Sequence, residues 1–127
     1  MTVNFLIVDD SKLARIVAGK AVAGLQPDWT RVEAANAADA LAIIAGQQID
    51  LALLDFNMPD KDGLVLAAEL RASHPNMPIA VITANVQDEI IARVRELNAT
   101  FVAKPVTEDA ISGFISGAAL RLRKALA

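Results

Sequence analysis

Two aspartates, Asp9 and Asp10, close an apolar run in FLIVDDSK, and a third, Asp55, closes another in LALLDFNMP. If both runs are strands of one parallel sheet, their carboxyl ends point the same way and the three carboxylates crowd into one crevice, repelling one another unless a cation joins them. Hard oxygen ligands on strand ends, with a loop for the remaining positions, suit Mg2+, which prefers octahedral oxygen and keeps several of its own waters. Such a site is suited to presenting phosphate to a carboxylate. Asp9 or Asp10 taken alone also reads as the N-cap of the following helix. His74 stands in SHPNMP between prolines, where an exposed spacer is the expectation and no chemical role is assigned. The chain has no cysteine, which excludes disulfides, a thiol nucleophile and thiolate metal ligation.

The elements that must position these acids alternate between strand-like and helix-like stretches, the pattern of a parallel sheet covered on both faces. Strands are expected at Phe5 to Val8, Arg31 to Ala34, Leu51 to Leu54, Ile79 to Thr83 and Thr100 to Ala103. Helices are expected from Ser11, as N-cap, to Leu25 and from Ala37 to Ala45, behind Asn36 and Asp39 in a capping-box arrangement and closed by Gly46. A third runs from Leu64 to Ala72. Val86 to Leu97 carries a stripe of Val86, Ile90, Ile91, Val94 and Leu97, and a last helix follows Thr107 as its cap. At 127 residues, residues 1–127 are expected to form one domain. A net charge of −3 without a polybasic stretch gives no nucleic-acid footprint. Charges interrupt every apolar stretch well short of the ~18 residues a membrane span needs. The opening MTVNFLIVDD lacks a basic segment, so the protein is expected to be cytoplasmic.

Taken in order, these residues resemble the response-regulator receiver domains of two-component signalling, in length and layout those of the stand-alone chemotaxis type. The resemblance spans the chain and rests on Asp9-Asp10, Asp55, Asn57-Met58-Pro59, Asp62-Gly63, Thr83-Ala84 and Lys104-Pro105. It implies a flavodoxin-like α/β fold, a doubly wound five-stranded parallel sheet of order 2-1-3-4-5 with five helices. Asp55 would be the phosphoacceptor, taking its phosphoryl group from a phosphohistidine on a sensor histidine kinase or histidine phosphotransfer protein. Asp9, Asp10, Asp55 and the Asn57 backbone carbonyl would hold Mg2+. Thr83, Ala84 and Lys104 would stabilise the phosphoryl group, Thr83 and Phe101 would form the switch, and Asn57 and Asn85 would tune the lifetime. The output would be a changed surface on the last two helices and last strand, read by a downstream protein target. No turnover of small molecules is expected.

Other readings are distinguishable from the residues. A haloacid-dehalogenase-type phosphatase needs a second acid two residues beyond the first, and that position is Asn57. In a flavodoxin-like FMN module the first loop must cradle phosphate, which Asp9 and Asp10 would repel. A metal-free pseudo-receiver scaffold would lack an acid or the lysine. The chain is expected to stand alone, the alternative being a receiver fragment of a larger regulator. Trp29 is expected to plug the end of the sheet. In the last helix Ile111, Phe114, Ile115, Ala118 and Leu122 account for the core side, so Gly113 and Gly117 point elsewhere with Leu120, either as tolerated weak helix or as a surface for a partner helix.

Overall fold

The computed structural model describes residues 3–84 and 87–126. Five strands alternate with five helices: β1 (Asn4–Val8), α1 (Lys12–Leu25), β2 (Thr30–Ala34), α2 (Ala37–Gly46), β3 (Leu51–Asp55), α3 (Gly63–Ser73), β4 (Ile79–Thr83), α4 (Asp88–Glu96), β5 (Thr100–Ala103) and α5 (Glu108–Leu126). The strands pair in parallel in the order β2-β1-β3-β4-β5, as the resemblance implied. The chain therefore reverses direction across the sheet between β1 and β3, and the carboxyl ends of those two central strands open a crevice there.

Period-two alternation divides the core. Phe5, Ile7, Leu51, Leu53, Ala80, Ile82 and Val102 face α1 and α5, while Leu6, Val8, Ala52, Leu54, Ile79 and Val81 face α2, α3 and α4. All of β3 and β4 is buried, which is why both read as unbroken apolar runs. Trp29 lies partly buried against the α1 and α5 layer, its ring tilted 49° to that of Phe5 with centroids 6.5 Å apart, at the end of the sheet where it was expected.

Local signals set most boundaries. The side chain of Ser11 accepts a hydrogen bond from the Ala14 N–H, Asn36 from that of Asp39, and Thr107 from that of Ala110. Gly46 is the last residue of α2, and Gln47 rather than the glycine supplies the C-cap. On α4, Ile90 and Val94 are buried, with Ile91 and Leu97 half-buried; Val86 lies outside the described residues. His74, expected as an exposed spacer, is instead the half-buried C-cap of α3, its ring Nδ1 2.7 Å from Ser73 Oγ, because the helix reaches one residue past Ala72. Gly113 and Gly117 are exposed with open space above them, and Leu120 is 55% exposed beside them.

Candidate functional site

The acids come from two adjacent strand ends. Asp9 and Asp10 follow β1, Asp55 ends β3, and the pairing of Val8 with Leu54 puts the two ends level. One carboxylate oxygen from each of Asp9, Asp10 and Asp55 lies within 4.8 Å of the others. Asp9 and Asp55 are buried while Asp10 is exposed, so the cluster opens to solvent on one side. Asp9 is fixed by its N–H donating to Ala34 O at 3.1 Å, by Oδ1 accepting from the Ser11 N–H at 2.9 Å, and by its carbonyl accepting from Arg15 Nη1 at 2.7 Å. Arg15 is itself held by Glu33, 3.0 Å away.

Lys104 reaches the cluster from beyond β5. Its Nζ is 3.0 Å from Asp55 Oδ1 and 3.5 Å from Asp9 Oδ2. Its backbone N–H donates to Thr83 O at 3.0 Å, which ties the fifth strand's end to the fourth's, and the Lys104-Pro105 peptide is cis. Asp55 Oδ1 is shut off from solvent and pairs with the Lys104 ammonium. Burial pushes the Asp55 carboxyl above its usual range; the Asp9 charge acts the same way, while Lys104 and the Asn57 backbone N–H pull it down without reversing the shift. Burial opposes charge on Lys104 as well, yet the attraction of Asp55 and then of Asp9 raises its pKa.

Thr83 is fully buried at the end of β4, and Ala84 beside it is exposed. Asn57 is exposed two residues beyond β3. Asn85 lies outside the described residues. Phe101 is half-buried on β5, packed against the layer containing Ile90 and Val94. Gly63 opens α3 so close to the end of β3 that a Cβ there would stand 2.4 Å from Asp55 O, so only glycine fits this approach.

The donor set fits a hard divalent cation. It offers hard carboxylate oxygens within 4.8 Å of one another, one of them buried, the kind of ligand that Mg2+ prefers. A groove of about 470 Å3 runs beside Asp9 and Lys104, lined by Leu13, Ala14, Val17, Pro105 and Val106. Leu13 is 71% exposed at its rim.

Two contributors escaped sequence reasoning. Arg15 holds the Asp9 backbone from within α1, and Asp60 accepts hydrogen bonds from the Ala37 and Ala38 N–H groups of α2. Asp60 carried no sequence signal, because every helix start leaves open backbone amides whatever its residues.

Comparison with known proteins points the same way as the geometry. The chain is 37% identical over 108 residues to the cyclic di-GMP phosphodiesterase response regulator RpfG of Xanthomonas campestris pv. campestris, covering 81% of this chain and 28% of that protein. It is 37% identical over 110 residues to the positive alginate biosynthesis regulatory protein of Pseudomonas aeruginosa, covering 84% and 43%. It thus spans less than half the length of these curated relatives. Among solved structures, a CheY-like receiver domain protein from Methanospirillum hungatei superposes with a TM-score of 0.85 at 22% identity, covering 98% of this chain and 99% of that one. Chemotaxis protein CheY4 of Vibrio cholerae gives 0.82 at 21%, covering 93% and 99%. The family model described as the response regulator receiver domain matches residues 5–116, which takes in every strand but the first residue of β1 and all of the acidic cluster, and the chain belongs to that family.

Proposed function

We propose that the protein is a Mg2+-dependent phosphoacceptor switch, with Asp55 as the acceptor. The observation that carries this reading is the state of Asp55: a buried carboxylate whose Oδ1 is shut off from solvent, 3.0 Å from the Lys104 ammonium and clustered with the carboxylates of Asp9 and Asp10. One oxygen of Asp55 attacks phosphorus on a partner's phosphohistidine, the P–N bond breaks, its electrons return to the imidazole, and an acyl phosphate forms on Asp55. Lys104 moves from pairing with the carboxylate to pairing with the transferred phosphoryl group. The Thr83 hydroxyl and the Ala84 backbone hold phosphoryl oxygens. Asp9, Asp10, Asp55 and the Asn57 carbonyl would hold Mg2+, which would neutralise charge on the phosphoryl oxygens. Water later attacks phosphorus and releases inorganic phosphate, with Asn57 and Asn85 tuning the lifetime, so the protein catalyses only its own modification.

The donor is a sensor histidine kinase or histidine phosphotransfer protein. Its reactive histidine must come within bonding distance of Asp55, and the apolar groove beside Asp9 and Lys104, rimmed by Leu13 and Val17, gives such a partner surface to bury. Retreat of Thr83 toward phosphate makes room for Phe101 to turn inward, which repacks α4, β5 and α5 for a downstream protein. Phe101 has no phenolic hydroxyl, so packing alone separates its two positions. A cytoplasmic location accords with a phosphohistidine donor, and no helix among the described residues is long and apolar enough to cross a membrane.

Incubation with acetyl phosphate and Mg2+ tests the reading. Intact-mass measurement is expected to find one acid-labile phosphoryl group on the wild type and none on Asp55→Asn. Absence of an adduct on the wild type, or its presence on Asp55→Asn, overturns the assignment.

A further inference from the structure

The loop joining β3 to α3 carries Asn57, and both of its ends are pinned. The Phe56 N–H donates to Ile82 O at 2.9 Å, and the Gly63 N–H donates to Phe56 O at 2.8 Å. Within the loop, Asp62 caps α3 and Lys61 pairs with Glu69 of α3, so both bind the helix that the loop itself leads into. Met58 rests on the apolar layer below. Asp60 differs. Its Oδ1 accepts from the Ala37 N–H at 3.1 Å and its Oδ2 from the Ala38 N–H at 3.0 Å, across to the first turn of α2. Those two bonds hold the Asp60 carboxyl below the usual aspartate range, and the positive end of the helix dipole adds to the attraction.

The segment that receives Asp60 also touches the other half of the acidic cluster. Ala34 O, at the end of β2, accepts the hydrogen bond from the Asp9 N–H, and three residues later Ala37 donates to Asp60. Residues 34–38 therefore bridge the Asp9 loop and the Asn57 loop. On the reading that Mg2+ binds between these loops, we infer that Asp60 is a positioning residue for the cation: its bidentate hold on α2 fixes the Asn57 loop relative to Asp9 and Asp10. Because such coupling is reciprocal, cation binding tightens the first turn of α2 in return.

The experiment titrates Mg2+ into the metal-free protein by calorimetry and follows amide exchange at Ala37 and Ala38. Wild type is expected to bind Mg2+ and to protect both amides as it does so. Asp60→Ala is expected to weaken binding roughly tenfold, the low end for loss of an outer partner of a metal site, and to abolish the Mg2+-linked protection. Asp60→Asn, which keeps one acceptor oxygen, is expected to fall between. Asp39→Asn removes a carboxylate from the same helix turn without touching the loop and is expected to bind like wild type; circular dichroism checks that every variant is folded. If Asp60→Ala binds as tightly as wild type, or no more weakly than Asp39→Asn, or if Asp60→Asn loses as much as Asp60→Ala, the effect is at most one of charge and the inference is overturned. Failure of the wild type itself to bind Mg2+ would instead remove the metal reading on which it rests.

Discussion

At the amino end of the sheet Arg71 spends its whole guanidinium on backbone carbonyls: Nε on Leu97 O at 2.8 Å, Nη1 on His74 O, Pro75 O and Met77 O at 3.2, 3.0 and 2.7 Å, and Nη2 on Asn98 O at 3.1 Å. At the carboxyl end Asp55 has its buried Oδ1 paired with a single lysine, beside two like charges, which uses only part of the acceptor capacity of a carboxylate. Asp55 is buried and Arg71 half-buried, and burial moves both pKa values toward the neutral form. The first charge has its bonding capacity used up by the fold; the second has capacity left over. A charge that a fold needs is satisfied internally, whereas one kept for a ligand costs stability until the ligand arrives.

The sharpest way to break this contrast is to remove the satisfied charge. Arg71→Met strands five carbonyls in the two loops before β4 and β5 and is expected to cost about 3 kcal/mol, a fall of roughly 10 °C in Tm for a chain of this size. Arg71→Lys should recover only a small part, because an ammonium cannot reproduce a planar fork that spans two loops. Thermal unfolding of both variants measures this, and a loss under about 1 kcal/mol for Arg71→Met would mean that the carbonyls find water instead.

The two ends also differed in how far the sequence revealed them. Acids at strand ends sit where an apolar run stops, so Asp9, Asp10 and Asp55 were visible from pattern, and parallel pairing brought them together. Capping side chains at Ser11, Asn36 and Thr107 act within three residues and were equally legible. Arg71 was not, because its partners are carbonyls that every residue has, on loops up to 27 positions away. Asp60 escaped for the same reason, its acceptors being matched to amides 23 and 22 positions earlier. The left-handed backbone at Asn98, with φ 54°, is one place where composition hinted at the arginine's end of the molecule, since asparagine tolerates that conformation and there turns the chain under the guanidinium.

Filling the unsatisfied end should have the opposite sign from emptying the satisfied one. Mg2+ at ten times its dissociation constant is expected to add about 1.4 kcal/mol to the wild type. The same addition should raise the Tm of Arg71→Met by a similar increment, since the two ends share no groups. It should do far less for Asp55→Asn. Equal stabilisation of Asp55→Asn and wild type by Mg2+ would place the cation elsewhere.

The smallest effect is the most diagnostic. The pKa of Asp55 is raised on folding, so its protonated form is the one the fold favours. For an acid shifted upward, the favourable contribution is present below the unfolded value of about 3.9 and is lost as pH rises through the higher folded value. At neutral pH without metal the ionised carboxylate is therefore a burden, and Asp55→Asn is expected to melt a few degrees above wild type. That margin should shrink as pH falls toward 4, where the wild-type carboxyl takes up its proton, and it should shrink again at pH 7 when Mg2+ is added. Parallel melting curves for the two proteins from pH 4 to 7.5 read both changes. A variant less stable than wild type at pH 7 in the absence of metal would mean that pairing with Lys104 outweighs burial and Asp9, and that Asp55 belongs with Arg71 among the charges the fold has already satisfied.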